Sequence, residues 1–176
     1  MVKIYFIVNL ILLSILFSCK EKNEIVVKND CESVAGWYSV ANLKMGNGHS
    51  GSWYFLAGAD SSSAFTYRGK LKEISNYPIE SIDMSAWFNT PDTFANAKYV
   101  LRIDSMDIPV LYYSIHTWEE YPFVNTWTRI FNRIYLPAGL NPELTVNIYA
   151  FNLGEIPVYF DDFEVKFIYQ NPLKGK

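Results

Sequence analysis

The chain has 176 residues, enough for one domain with a substantial core, and carries 15 Lys and Arg against 18 Asp and Glu for a formal net charge of −3. No basic cluster stands out, which excludes the electrostatic footprint of a nucleic-acid binder. Aromatic rings are the compositional outlier at 17% of residues, with 13 Tyr, 12 Phe and 5 Trp, many of them in the β-branched contexts of strands.

The first element is an uncharged apolar run, Ile4–Phe17, behind the single basic residue Lys3. This is the layout of an export signal, expected to be helical, and its roughly 14 residues fall short of the roughly 20 that a bilayer span requires. Leu16-Phe17-Ser18-Cys19 closes the run, and polarity changes at once in Lys20-Glu21-Lys22-Asn23-Glu24. That box resembles the lipobox of bacterial lipoproteins. The resemblance implies cleavage before Cys19, a diacylglyceryl group on its sulfur, and a membrane anchor of at least two acyl chains. The alternatives are an ordinary secretory signal with Cys19 incidental, or a short uncleaved anchor. Lys20 is not the aspartate associated with inner-membrane retention, and the charged stretch is similar to that of surface lipoproteins of the Bacteroidetes type. The expectation is a cell-envelope protein, lipid-anchored in the outer membrane, with either leaflet open. With Cys19 acylated, Cys31 has no partner within the chain, so no disulfide is expected and Cys31 reads as a small buried hydrophobe.

Residues 1–18 thus read as a signal peptide, 19–29 as a polar tether, 30–170 as the folded domain and 171–176 as a C-terminal tail. Within the domain, short alternating runs are separated by turn chemistry such as Met45-Gly46-Asn47-Gly48, Asn89-Thr90-Pro91-Asp92 and Pro137-Ala138-Gly139. Eight strands are predicted: Gly51–Leu56, Ala64–Tyr67, Ile82–Asn89, Lys98–Asp104, Val110–His116, Thr126–Leu136, Leu144–Phe151 and Val158–Ile168. Their number and spacing predict an all-β, two-sheet jelly-roll sandwich.

Period two assigns the faces. Ile82, Met84, Ala86 and Phe88 point one way, as do Leu144, Val146, Ile148 and Ala150, and Ile130, Ile134 and Leu136. Trp87, Arg129, Phe131, Arg133 and Tyr149 fall on the opposite sides. In the last strand Val158 and Phe160 share one phase, Phe163, Val165 and Phe167 the other, and Asp161-Asp162 sits at the slip. That slip predicts a β-bulge.

Glu32, Gly36-Trp37, Gly48-His49-Ser50-Gly51, Ser85-Ala86-Trp87-Phe88, Trp127 ahead of Tyr135-Leu136-Pro137, and Val158-Tyr159-Phe160-Asp161-Asp162-Phe163 follow one another in this order. From about residue 30 onward the order resembles the jelly-roll, galactose-binding-like carbohydrate-binding modules. The resemblance implies a structural calcium ion between the first and last strands, and carried onto this chain it nominates Glu32 and Asp161 as ligands. The alternative is a bulge whose aspartates bond backbone amides or face solvent. No other cofactor is called for. His49 and His116 lack the spacing of zinc ligands.

No catalytic motif assembles in the sequence. Gly48-His49-Ser50-Gly51 lacks the spacing of a nucleophile elbow, and neighbours such as Glu119-Glu120 or Asp161-Asp162 point to opposite faces of a strand rather than across one glycosidic bond. A distant pair such as Asp104 with Glu119 stays open. Sugar rings stack on aromatic faces while their hydroxyls need planar multi-donor partners. Two candidate glycan sites follow. One is a sheet face carrying Trp87, Arg102, Arg129, Phe131, Arg133 and Tyr149, provided their strands are neighbours; the other is a loop site with His116, Trp118 and Glu119. Trp37 and Trp127 read as structural. The function expected is a non-catalytic lipoprotein that binds a glycan. The rival is a structural or assembly lipoprotein whose exposed rings meet a protein partner in the envelope, and a glycan-active enzyme ranks below both.

Overall fold

The structure, a computed structural model, describes residues 23–38, 40–58, 65–120, 123–152 and 154–170. The signal peptide, Cys19 and the tail 171–176 lie outside the described residues. Eleven strands run in chain order as β1 (Glu24–Asn29), β2 (Trp37–Tyr38), β3 (Leu43–Met45), β4 (Trp53–Ala57), β5 (Phe65–Lys70), β6 (Ile79–Asn89), β7 (Ala97–Ser105), β8 (Ile108–His116), β9 (Thr128–Tyr135), β10 (Thr145–Asn152) and β11 (Val158–Tyr169). A single helical turn, α1 (Leu71–Ile74), links β5 toward β6. Among the described residues, no helix is long and apolar enough to cross a membrane.

The strands form two antiparallel sheets. One has six strands in the order β3-β4-β11-β6-β9, with β1 also paired to β11, and the other has five in the order β2-β5-β10-β7-β8. This is the expected all-β sandwich, and each of the eight predicted strands is present within a few residues of its predicted bounds. The tether expectation needs correction. Residues 24–29 form β1, pairing from Glu24 opposite Ile168 to Asn29 opposite Phe163. Ile25 and Val27 pack against the core, so the segment carries a period-two apolar face beneath its charged composition.

The core lies between the sheets and follows the predicted phases. Ile82, Met84, Ala86 and Phe88 of β6 are buried, as are Val146, Ile148 and Ala150 of β10 and Ile130 and Ile134 of β9. Rings fill its centre: Phe163 lies 5.1 Å from Trp37, 5.4 Å from Phe65, 5.8 Å from Tyr99 and 6.1 Å from Phe160, centroid to centroid. Phe160 and Phe163 are an odd number of positions apart and would ordinarily face opposite ways. The pairing of β11 with β6 shifts by one residue between Asp161 and Glu164, and Asp162 takes a left-handed φ of 48°. The predicted bulge is there, and it turns both phenylalanines inward.

Cys31 is buried with its Sγ 3.8 Å from the Phe160 carbonyl oxygen, and burial pushes its thiol pKa up, so it is the inert hydrophobe expected. Removal of the central ring should be severe. Phe163→Ala is expected to cost about 3–5 kcal/mol of unfolding free energy, measured by urea denaturation. A change under about 1 kcal/mol would place the core elsewhere.

Candidate functional site

The pairing registers settle which proposed site residues are neighbours, and they divide the expected sheet face in two. Trp87, Arg129, Phe131 and Arg133 lie together on the outer face of the six-stranded sheet, with Arg129 opposite Trp87, Phe131 opposite Ser85 and Arg133 opposite Asp83. Arg102 and Tyr149 belong to the five-stranded sheet instead. A single face holding all six does not exist. Alternation fixed each residue's side of its own strand, but which sheet a strand joins depends on long-range pairing that alternation does not encode.

On the five-stranded sheet, β10 pairs Asn147 with Arg102 and Tyr149 with Val100, while β7 pairs Arg102 with Tyr112, Val100 with Ser114 and Lys98 with His116. Arg68 of β5 stands opposite Asn147, and Tyr38 of β2 follows beyond Thr66. Alternate residues along a strand are about 6.6–7 Å apart and adjacent strands about 4.8 Å. The outer face therefore presents Arg68, Asn147, Arg102 and Tyr112 in one row and Tyr38, Thr66, Tyr149, Val100 and Ser114 in the next.

Although this face looks away from the core, its middle is buried: Val100 is 0% exposed, Asp104 1% and Asn147 5%. Arg102, Tyr112 and Tyr149 stand around these positions on neighbouring strands, and the cluster is called the Asp104 hollow below. Within it, Asp104 Oδ2 accepts hydrogen bonds from Arg102 Nε at 3.0 Å and from Asn147 Nδ2 at 2.8 Å. Asp104 Oδ1 is buried with no hydrogen-bond partner among the described residues. Such an atom is costly unless something donates to it. Burial, with Tyr112 and Asp104 close by, holds the Tyr149 phenol above its ordinary pKa, so it stays a neutral hydroxyl that can both donate and accept.

The predicted loop site opens onto the same surface. His116 lies at the end of β8 opposite Lys98, and its Nδ1 is 2.8 Å from Asn96 Oδ1. Burial and the Lys98 ammonium lower its pKa, while Glu119 opposes them. Trp118 follows in a 3-10 turn, 5.5 Å from the His116 ring and half exposed, and Glu119 is exposed. Arg102, Tyr149 and His116 thus share one sheet face, with Trp118 and Glu119 in the 3-10 turn that follows β8. Tyr112, Asn147 and Asp104 complete the hollow. Their outward phase was legible in strand alternation; their convergence required the β10-β7-β8 order.

On the other sheet, the outer face is engaged in its own contacts. Arg133 grips Asp83 with two bonds of 2.6 Å, and Lys28 and Lys166 both hold Glu164, at 2.5 and 3.1 Å. One face of Trp87 is covered by His49, stacked at 3.9 Å. Trp127 is half-buried with its ring 5.9 Å from His49, and Trp37 is in the core, in keeping with their structural reading.

Glu32 and Asp161 both serve the loop between β3 and β4. Asp161 Oδ2 accepts the backbone N–H of His49 at 2.7 Å and of Ser50 at 3.0 Å, and Glu32 Oε1 accepts those of Ser52 at 2.5 Å and Trp53 at 2.8 Å. Asp162 takes the Ser50 hydroxyl at 2.6 Å and faces His49 Nδ1 at 2.5 Å. Ser50 therefore donates to the carboxylate and not to the imidazole, which differs from a nucleophile–base pair. Burial raises the Asp161 carboxyl to about 6, against the lowering effect of its amide donors. Gly48 is tightly enclosed here: a Cβ on it would stand 2.6–2.8 Å from the carbonyls of Trp53 and Ser50 and from Asp161 Oδ2. Glycine lets these three oxygens gather. Hard oxygens of this kind suit calcium, although among the described residues no three His, Cys, Asp or Glu side chains group together as metal ligands.

No protein-family model matches the sequence, and no curated protein matches it. Solved structures do match in fold. The CBM22-1 xylan-binding domain of Xyn10C from Paenibacillus barcinonensis aligns over 85% of this chain and 99% of its own, with a TM-score of 0.56 and 10% identity. The CBM22-2 xylan-binding domain of the same protein covers 80% of this chain and 98% of its own, with a TM-score of 0.52 and 15% identity. The C-terminal family 22 carbohydrate-binding module of Clostridium thermocellum Xyn10B covers 81% and 92%, with a TM-score of 0.52 and 12% identity. The chain shares the two-sheet jelly-roll fold of these structures.

Proposed function

We propose that this protein is a non-catalytic carbohydrate-binding module that takes polysaccharide on the outer face of its five-stranded sheet. The observation that carries the reading is Asp104 Oδ1, a buried carboxylate oxygen without a donor, at the floor of a hollow walled by Arg102, Asn147, Tyr112 and Tyr149. A shift of the Arg102 side chain would open that oxygen to a sugar hydroxyl, which supplies the missing donor, and the adjacent phenol rings supply stacking surface for the apolar face of the pyranose. The xylan-binding function of structural relatives makes xylan the first polymer to try.

The reading extends to location and metal. The lipobox places a lipid on Cys19, only a few residues before β1 begins at Glu24. Glu24 pairs with Ile168 of β11, which stands opposite Ser81 near the start of β6, whereas β6 ends at Asn89 and leads by a short loop to the end of β7 where Lys98 faces His116 of β8. An anchor at Cys19 would hold the His116–Trp118 end of the hollow away from the membrane, toward a polymer outside. A structural calcium ion would take Asp161, the carbonyls of Ser50 and Trp53, and Glu32 with modest rearrangement of the loop, and its charge would offset the burial that raises the Asp161 pKa.

A protein partner is the second reading, favoured by the exposed rings of Phe94, Trp118 and Phe123 in the loops flanking that same end. Affinity electrophoresis in gels cast with xylan and other soluble polysaccharides separates the two. Wild-type protein is expected to be retarded by at least one neutral polymer, with Tyr149→Ala and Tyr112→Ala each weakening binding by roughly tenfold or more at unchanged melting temperature. Absence of retardation on every polymer, with a defined protein co-purifying, would favour the partner. Calcium is expected to raise the melting temperature by a few degrees, reversed by chelator, and equal melting in both would remove the metal from the account. Cys19→Ala should move the protein out of the membrane fraction; an unchanged membrane pool would contradict acylation.

A further inference from the structure

All four arginines of the chain are among the described residues, and three of them hold an aspartate. Arg68 binds Asp107 at 2.9 Å, Arg102 binds Asp104 at 2.8 Å, and Arg133 binds Asp83 at 2.6 Å. Arg129 has no acidic partner among the described residues. Its Nη2 donates to the Ser85 hydroxyl at 3.1 Å and its guanidinium carbon lies 5.9 Å from the Phe131 ring centroid. Both contacts orient the guanidinium, and neither neutralises it.

This cation borders a groove of about 530 Å³ on the outer face of the six-stranded sheet, lined by Lys28, Asp30, Ser85, Trp87, Arg129 and Glu164. Each acid of the groove has a partner, although that of Asp30 is a backbone amide, which leaves its charge in place. Glu164 is shared by Lys28 and Lys166, Asp162 takes Ser50 and His49, and Asp30 Oδ1 accepts the Glu32 N–H at 3.1 Å. Ser85 is small and leaves floor space beside Trp87, whose other face His49 covers. The groove thus joins an oriented guanidinium, without an ion-pair partner among the described residues, to the indole of Trp87, in a volume within the range of small-molecule sites.

From this combination we infer a second ligand site, on the face opposite the Asp104 hollow, that takes a carboxylate-bearing sugar residue: the uronate carboxylate on Arg129 and the ring against the groove wall. It is independent of the neutral-sugar site, and a polymer carrying both kinds of residue would engage both faces of the domain.

Affinity electrophoresis on polygalacturonate, repeated with titration of digalacturonate followed by NMR, tests it in the full mature domain. Wild-type protein is expected to be retarded, Arg129→Gln to bind the uronate roughly tenfold or more weakly, and Tyr149→Ala to bind it like wild type. Arg129→Gln should keep the wild-type melting temperature and its affinity for neutral polymer. Wild-type protein that ignores polygalacturonate while binding a neutral polymer would overturn the second site alone. So would Arg129→Gln binding the uronate as wild type does, or Tyr149→Ala losing it. Wild-type protein that binds the uronate but no neutral polymer would overturn the Asp104 hollow and leave the Arg129 site standing.

Discussion

One extra residue in β11 governs much of the molecule. Without the bulge at Asp161–Asp162, either Phe160 or Phe163 would face solvent, and the ring cluster that joins Trp37, Phe65 and Tyr99 to both would lose its centre. The same insertion directs two successive carboxylates at the loop between β3 and β4. Asp161 takes two of that loop's amides and Asp162 takes the Ser50 hydroxyl. Packing inside and loop anchoring outside therefore share one backbone irregularity. Gly51, at φ 72° with Glu32 against its α-carbon, completes the clasp, since a side chain there would displace the carboxylate that accepts from Ser52 and Trp53.

The sandwich then offers two outer faces of different character. On the six-stranded sheet most charges neutralise one another in place, and the stack of His49 on Trp87 covers one side of the largest ring. On the five-stranded sheet Asp104, near the end of β7, is buried and holds Arg102 and Asn147 with one oxygen only. A buried carboxylate whose second oxygen lacks a donor among the described residues costs the unliganded fold stability, and a ligand that donates to it recovers part of that cost on binding. The hollow is pre-organised, since its walls stand on paired strands and not on loops.

Much of the architecture was written in period two. Alternation located the eight long strands and their buried faces, and the broken phase between Phe160 and Phe163 located the bulge. What local pattern does not carry is partnership. Trp87 and Tyr149 look alike as outward rings on their own strands, yet they stand on opposite sides of the molecule because β6 pairs with β9 and β11 while β10 pairs with β5 and β7. β1 was concealed for a different reason: its outward positions carry Glu24 and Lys28, so its composition resembles a tether although Ile25 and Val27 alternate inward. The two-residue β2 and three-residue β3 are too short to show any period. Asp104 reads in sequence as one more strand carboxylate, and only the neighbouring strands reveal its unpaired oxygen.

A glycan bound at the Asp104 hollow would touch residues of β7, β8 and β10. Backbone amide shifts of the isotopically labelled domain, followed during titration with a neutral oligosaccharide retarding in gels, measure this most directly. Shifts concentrated on Arg102, Asp104, Tyr112, Asn147 and Tyr149 are the result expected. Saturable binding that leaves those five amides unmoved would contradict it.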